Sequence, residues 1–492
     1  MPFRPHCLLT LILFASQLAG CTVGPDYVRP SAPSTTSFKE VEGWKNAEPR
    51  DTVIRGDWWE VFNDPLLNQL QQQVGNNQSL LQAEAQYRQA QHLVQSAQSS
   101  LLPVATLNGS FNNFKSAQGQ SLVVPGVRTL FGNTVAMAWE PDLWGSVRRQ
   151  IEANTDNAQA SAALLQGLRL ATQASLADAY FQLRALDAQK KLYDETVNAY
   201  QQTLRITQNR YAAGIVAKTD VVQAETQLQS AKAASLNLSM QRAKLEHAIA
   251  VLIGKAPAEL TIAVGEFNIQ APAIPVSLPS ELLERRPDIA AAERQAAAAN
   301  ARIGVAKAAY YPRLNLAMTN GFQSSDVATL FSTVSRYWAL GPAAAALTIF
   351  DGGIKNAQYQ QAIAQFDASV AAYRQTVLTG FQEVEDNLAA LRILAEQRAV
   401  QDQAVTAADK ALELTVNQYK AGTVSYLNVM TAQTAALSNH QTAVQLQGQQ
   451  LSTAVLLIKA LGGGWQDKEL PTADQADGER RWTDYLILPL TD

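Results

Sequence analysis

The sequence predicts a mainly α-helical chain with a β-barrel part, built twice on one plan. Three observations carry this. The stretch Arg210–Ala224 returns as Gln418–Ala432, a separation of 208 residues, and Gly145/Gly353, Asp178/Asp386, Leu183/Leu391, Arg184/Arg392 and Gly254/Gly462 keep it. A period this long means a duplicated half, not a solenoid. Two Pro-free helical runs, from Pro141 to Pro257 and from Pro342 to Pro471, are too long for an ordinary compact domain. Past residue 20 no run of about eighteen apolar residues exists, so any membrane crossing must use a closed barrel.

Bulk properties narrow the function. The chain has 492 residues, 17% charged, with a formal net charge of −4, which leaves no basic footprint for nucleic acid. Residues 1–20 read as a signal peptide: Arg4 and His6, an apolar run from Cys7 to Phe14, then small residues. Leu18-Ala19-Gly20-Cys21 resembles a bacterial lipobox, which implies cleavage before Cys21 and lipidation of its thiol. The alternative is an ordinary signal peptide with an incidental cysteine. With Cys7 removed and Cys21 acylated, the mature chain has no disulfide. Several acyl chains would hold the N-terminus firmly to a membrane, and Thr22, where Asp would mark inner-membrane retention, favours the outer membrane.

Residues 21–57 are rich in Pro, Ser, Thr and charge and read as an extended lipid-anchored segment. The first repeat, 58–254, opens on Trp58 and Trp59. Asp64 then caps a helix whose first residue, Pro65, needs no N–H there. Helices at about 66–74 and 79–101 lead to Pro103, where the period changes to two. Ala105, Leu107, Gly109 and Phe111 alternate with Thr106, Asn108, Ser110 and Asn112; near 130–140, Val135, Met137 and Trp139 alternate with Thr134, Ala136, Ala138 and Glu140. Strands near 104–114 and 130–140 have the length of a tilted barrel strand. Alternation alone also suits a soluble hairpin with one wet face.

From Gly145 to about Asn209 the pattern is helical. Ala179, Leu183, Leu186, Lys190, Tyr193, Val197, Tyr200, Leu204, Thr207 and Tyr211 step by four and three, a coiled-coil seam. Gly214 ends this helix, Thr219 or Asp220 is placed to cap the next, and the tip of the hairpin is 210–220. Residues 255–280 form a Pro-rich linker, with Ser280 able to cap a short helix that Pro287-Asp288 separates from the next. The second repeat, 281–462, copies the order: a helix to Pro312, strands near 313–322 and 335–349, and a hairpin with its tip at 418–428. The tail 463–492, with Trp465 and Trp482, is read along the exterior.

Taken together, Cys21 to Pro30 (Cys-Thr-Val-Gly-Pro-Asp-Tyr-Val-Arg-Pro), Trp58-Trp59 with Phe62, Asp64-Pro65-Leu66, Leu278-Pro279 through Glu284-Arg-Arg-Pro-Asp-Ile289 and both Tyr-x-x-Gly tips resemble a TolC/OprM-type outer membrane factor. The resemblance spans nearly the whole mature chain. It implies a homotrimer in which each chain gives four strands to one twelve-stranded transmembrane barrel, continued by an α-helical tunnel across the periplasm. It further implies a periplasmic adaptor and an inner-membrane RND-type pump as partners, with outer membrane lipid around the barrel. Independently, four strands cannot close a barrel, whose smallest common form has eight.

The resemblance places a periplasmic aperture where the tips converge, at Tyr211, Asp220, Tyr419, Leu427, Asn428 and Thr431, and an adaptor contact at Gly214 and Gly422. Plainer readings stand beside these: Asp220 as a helix cap, Tyr419 and Leu427 as seam packing. In the resembled family the position of Thr431 often carries Asp, and that of Thr434 can be Arg. A mouth without that pair is expected to close on apolar and neutral contacts, with weak salt dependence. Arg285, Arg286 and Asp288 are read as structural ion pairs, and Trp58 and Trp59 as core anchors. His92, His247 and His440 lack ligand spacing, and four mature methionines make no metal path. No cofactor, metal or catalytic residue is expected. Rival readings are a same-fold channel for protein secretion, told apart by the adaptor that co-purifies, and a lipid-anchored coiled-coil scaffold, which has no use for lipid-facing strands.

Overall fold

The fold is that of a computed structural model, which describes residues 22–33, 35, 37–40, 57–115, 127–272, 274 and 285–478. The signal segment, Cys21, Ser280 and Trp482 lie outside the described residues. The helices are α1 (Pro65–Gln71), α2 (Gln78–Ser99), α3 (Ser146–Ala212), α4 (Lys218–Leu252), α5 (Pro287–Ala308), α6 (Ile354–Ala421), α7 (Tyr426–Ala460) and the short α8 (Ala473–Ala476). The strands are β1 (Val104–Lys115), β2 (Val127–Trp139), β3 (Arg313–Ser324) and β4 (Arg336–Ala346). No helix among the described residues is long and apolar enough to cross a membrane.

The four strands form one antiparallel sheet in the order β1-β2-β3-β4, so β1 and β4 are edges. Its register puts Leu107 opposite Val135, Phe111 opposite Phe131, Met137 opposite Met318 and Trp338 opposite Asn320. Directly opposed residues share a face, so one face carries most of the large apolar side chains, with Asn133 and Asn320 among them. The other carries Thr106, Asn108, Ser110, Thr134, Thr319 and Tyr337, with the Thr134 and Tyr337 hydroxyls 2.6 Å apart. β4 ends at Ala346 and not at the 349 expected. Its partner β3 begins at Arg313, opposite Ala346, directly after Pro312, which has no N–H to extend the ladder.

Helices α3 and α6 have 67 and 68 residues, about 100 Å each at 1.5 Å per residue. Along the hairpins α3 packs on both α4 and α7, and α7 on α6, while α5 bridges α3 and α6. The seam residues Leu183, Tyr200 and Thr207 are buried as the four-and-three stepping predicts. Midway down, Trp58, Trp59 and Phe62 join Tyr180, Phe181, Leu388, Leu451 and Ile458 in the largest apolar core. Asp64 accepts the N–H groups of Leu66 and Leu67, and its second oxygen accepts the Tyr180 hydroxyl at 2.6 Å. Arg286 is an interior ion-pair residue, 2.7 Å from both Asp288 and Glu383 and bonded to the Ala460 carbonyl. At the start of the tail Gly462 to Gly464 all take positive φ, and Trp465 is buried against Ala163, Ala290 and Ala291.

Candidate functional site: the helix tips and the N-terminal strap

Both hairpins turn at the far end of the helices from the sheet. At the first tip Gly214 (φ +72°) donates to Tyr211 O and Ile215 to Arg210 O; at the second, Gly422 (φ +82°) donates to Tyr419 O and Thr423 to Gln418 O. These are two Schellman closures, which need a left-handed residue just past the helix. A Cβ on Gly214 would meet nothing within 4 Å, so conformation and not crowding requires glycine there. The expected cap on α4 is corrected: the helix starts at Lys218, the N-cap is Ala217 with no side-chain cap, and Asp220 lies in the first turn. There its carboxylate sits near the positive end of the helix without capping it.

The other sequence-selected residues separate into two groups. Tyr419 is only 3% exposed and packs inside the protomer. The Arg210 guanidinium lies 4.6 Å from its ring centre and donates to its carbonyl, Tyr426 meets it edge-on at 6.0 Å, and its hydroxyl is 3.2 Å from that of Thr207. Tyr211, its counterpart in the first repeat, is 45% exposed, and Leu427 is 53% exposed. Asn428 and Thr431 are exposed as well. Thr431 and Thr434 donate to the Leu427 and Met430 carbonyls of their own helix, leaving methyl groups outward. They line a cleft of about 770 Å³ between α4 and α7 with Val222, Thr226, Gln227 and Met430, and no charged side chain contributes.

Sequence reasoning missed Arg210 and Tyr426 as the residues that tie the tips. Tyr426 donates to Gln227 Oε1 at 2.9 Å, and burial pushes its hydroxyl up to about 12. The signal was available in the spacing Tyr426, Val429, Gln433, Ala436, the seam of the return helix and all buried. Among the described residues no group of three His, Cys, Asp or Glu is placed to hold a metal ion.

At the sheet end of the helices, the segment after Cys21 lies as a strap on α3, α5 and α6. Val23 donates to Trp144 O, Asp26 pairs with Arg149 at 2.7 Å, Tyr27 donates to Glu293 at 2.6 Å, and Glu40 pairs with Arg392 at 2.7 Å. Gly145 faces Thr22 and Gly24 faces Gly304 so closely that a Cβ on either would lie within 2.5 Å of the strap or its groove. Beneath the strap, Asp156 is 9% exposed and shares Arg294 with Glu293.

Burial pushes the Asp156 carboxyl up to about 7, against the pull of Arg294 and with the repulsion of Glu152 and Glu293. Between the usual Asp range and that value the folded chain holds a proton the unfolded chain has lost. Stability therefore falls as pH rises through this window. The thermal midpoint is expected to drop less between about pH 5 and pH 8 in Asp156→Asn than in the parent. Equal drops would place the titration elsewhere.

The family described as "Outer membrane efflux protein" matches residues 69–255 and 278–463. The chain is 33% identical over 484 residues to the antibiotic efflux pump outer membrane protein ArpC of Pseudomonas putida, covering 96% of this chain and 98% of that one. Against the toluene efflux pump outer membrane protein TtgC of Pseudomonas putida it is 32% identical with the same coverage. Its structure is similar to that of the outer-membrane channel OprN, with TM-score 0.85, 31% identity, and coverage of 91% of this chain and 100% of that one. The two-fold match falls on the two repeats, and the described chain has the sheet and long hairpins of such a channel. This chain belongs to the outer membrane efflux protein family.

Proposed function

We propose that three copies of this chain close one twelve-stranded barrel in the outer membrane and form the exit duct of a tripartite efflux pump. Conduction is passive, from the periplasm to the exterior. The observation that carries this reading is a four-stranded sheet with one mainly apolar face, one mainly polar face and two edge strands with no outer partner among the described residues. Unpaired edges in a bilayer leave backbone groups unsatisfied, and four strands cannot curl onto themselves. Three copies give twelve strands, a polar lumen, and six hairpins whose long helices, about 100 Å each, extend the duct into the periplasm. Lipidation of Cys21 fastens each chain, and the strap carries that anchor onto α3.

The tips form the gate and the adaptor contact. Leu427, Asn428 and Thr431 face the aperture with neutral groups, and Asp220 and Tyr211 stand beside them. Duplication places Tyr211 against α6 of the next copy, as Tyr419 is placed against α3. Gln418 then stands where Arg210 does, so the seam between copies lacks the cation that ties the seam within one. Opening parts the seams between copies, while Tyr419 holds each protomer together. A periplasmic adaptor on Gly214 and Gly422 must bind the open arrangement more tightly to have this effect. An inner-membrane RND-type pump supplies the substrate. The names of two relatives of nearly equal similarity carry antibiotics and toluene, which supports a duct that does not select.

Native mass spectrometry of protein extracted from outer membranes tests the reading. A trimer with one lipidated N-terminus per chain is expected. A monomer stable in aqueous buffer, with protease-sensitive strands, would overturn the duct and favour a scaffold. In planar bilayers, Thr431→Asp is expected to make mouth conductance depend more steeply on salt than in the parent; identical dependence would remove Thr431 from the aperture.

A further inference from the structure

We propose that each seam between neighbouring copies in the barrel binds the phosphate of an outer-leaflet phosphorylated glycolipid, through Lys115 of one copy and Arg336 of the next. This rests on the twelve-stranded closure proposed above. The first ground is orientation. Lys115 follows Leu107 and Phe111 by even steps, and Arg336 stands opposite Phe322, two residues from Trp338. Both cations therefore lie on the apolar face, at the strand ends remote from the helices.

The second ground is register. Pro103 and Pro312 align β1 with β3 at a shift of 209 residues, so Asn113 corresponds to Phe322 and Lys115 to Ser324. Asn113 is opposite Thr129 and Phe322 is opposite Arg336, which aligns β2 with β4 and makes Phe131 correspond to Trp338. Within one copy, Phe131 is opposite Ser324. The equivalent pair between copies is Trp338 opposite Lys115, with Arg336 on the same face as the diagonal neighbour of that lysine. Diagonal positions are about 7–8 Å apart, within reach of long side chains converging on one anion.

Height in the membrane is the third ground. Trp139 and Phe131 are the innermost and outermost aromatic side chains of this face on β2, eight steps or about 27 Å apart along the strand. Tilted as barrel strands are, this spans roughly the apolar band of an outer-membrane barrel, which is flanked by aromatic girdles. Trp338, the equivalent of Phe131, is then in the outer girdle, with Lys115 level with it across the seam and Arg336 two residues further out, at the headgroup level.

Charge is the fourth. The chain is −4 overall, yet the hairpin ends from Lys115 to Arg128 and from Ser324 to Arg336 carry Lys115, Arg128 and Arg336 against a single acid, Asp326. The Asp326 carboxylate is engaged with Ala328 N–H in its own turn. A lipid with acyl chains on Phe111 and Leu340 and a phosphate between two cations satisfies both the apolar and the charged parts of this surface.

The test is native mass spectrometry of the trimer with the bisphosphorylated glycolipid, its dephosphorylated counterpart, and inorganic phosphate as competitor. Up to three lipids per parent trimer are expected, with affinity about tenfold weaker for the dephosphorylated lipid and for Lys115→Gln/Arg336→Gln. Equal binding of the dephosphorylated lipid, or displacement of the lipid by millimolar inorganic phosphate, would overturn the assignment. The first comparison needs only the parent protein, so a variant that fails to assemble does not remove it. Lys115→Cys with Trp338→Cys is expected to cross-link copies. A trimer that does not cross-link would overturn the seam register and this site alone, whereas absence of any trimer would overturn the duct itself.

Discussion

Gly462→Val is expected to remove almost all heat-resistant trimer from the outer membrane, while Gly214→Ala leaves it near the parent amount. Both glycines end a helix at positive φ, and both replacements meet that conformational cost. The difference is what surrounds them. A Cβ on Gly462 (φ +93°) would lie 1.9 Å from the Arg285 carbonyl oxygen and 2.8 Å from its carbon. Backbone cannot rotate aside as a side chain can, so α7 or the start of α5 must move. That movement also reaches Arg286, whose bonds to Asp288, Glu383 and Ala460 O tie α5 to α6 and α7. Overpacking of this kind with a β-branched residue in the left-handed region costs about 3–5 kcal/mol. Gly254, its repeat counterpart, is as crowded, with a Cβ 2.2 Å from Asn76 O. The measurement is trimer recovered from outer membranes and its resistance to heat in detergent. Parent-like recovery of Gly462→Val would mean that the Arg285 segment yields.

Gly422→Trp is expected to insert and trimerise normally and to abolish efflux, lowering drug tolerance to that of cells without the protein. Its φ of +82° makes any side chain there costly by about 1–2 kcal/mol. A Cβ, however, would meet only Arg210 Nη2, at 3.5 Å. The fold can absorb that amount, because a guanidinium end is movable and the tip is solvent-facing. What an indole changes is the surface offered to a partner: it fills the shallow, backbone-lined end of the hairpin where the adaptor is proposed to pack. Drug accumulation and trimer content measured together separate the outcomes. Failure to insert would make Gly422 a folding residue, and parent-like efflux would move the adaptor contact away from this tip.

Much of the fold was legible because it is written in local periodicity. The four-and-three stepping of α3, the alternation in β1 and β2, and the Tyr-x-x-Gly tips each report geometry that a segment imposes on itself. The α4 start was misplaced by a residue or two because the tip closes through backbone bonds of Gly214 and Ile215, leaving no side-chain cap to read. The aperture residues were legible only as a group. Periodicity put Tyr211 and Tyr419 in equivalent places, but not which of them a neighbouring helix covers.

By itself, the sequence determined the duplication, the long helices, the alternation of the strands and the lack of a long apolar run past residue 20, since each is read directly along the chain. Tertiary structure alone decided how equivalent residues diverge. Arg184 and Arg392 are repeat partners, yet Arg184 is buried against Asp187 and the Ala263 carbonyl, while Arg392 is half-exposed and holds Glu40 of the strap. Tyr419 is enclosed by Arg210, Thr207 and Tyr426, whereas Tyr211 is left open within one copy. In both cases the deciding contact comes from a segment remote in sequence. The Glu40 end of the strap and the stretch around Ala263 each reach only one of the two equivalent arginines.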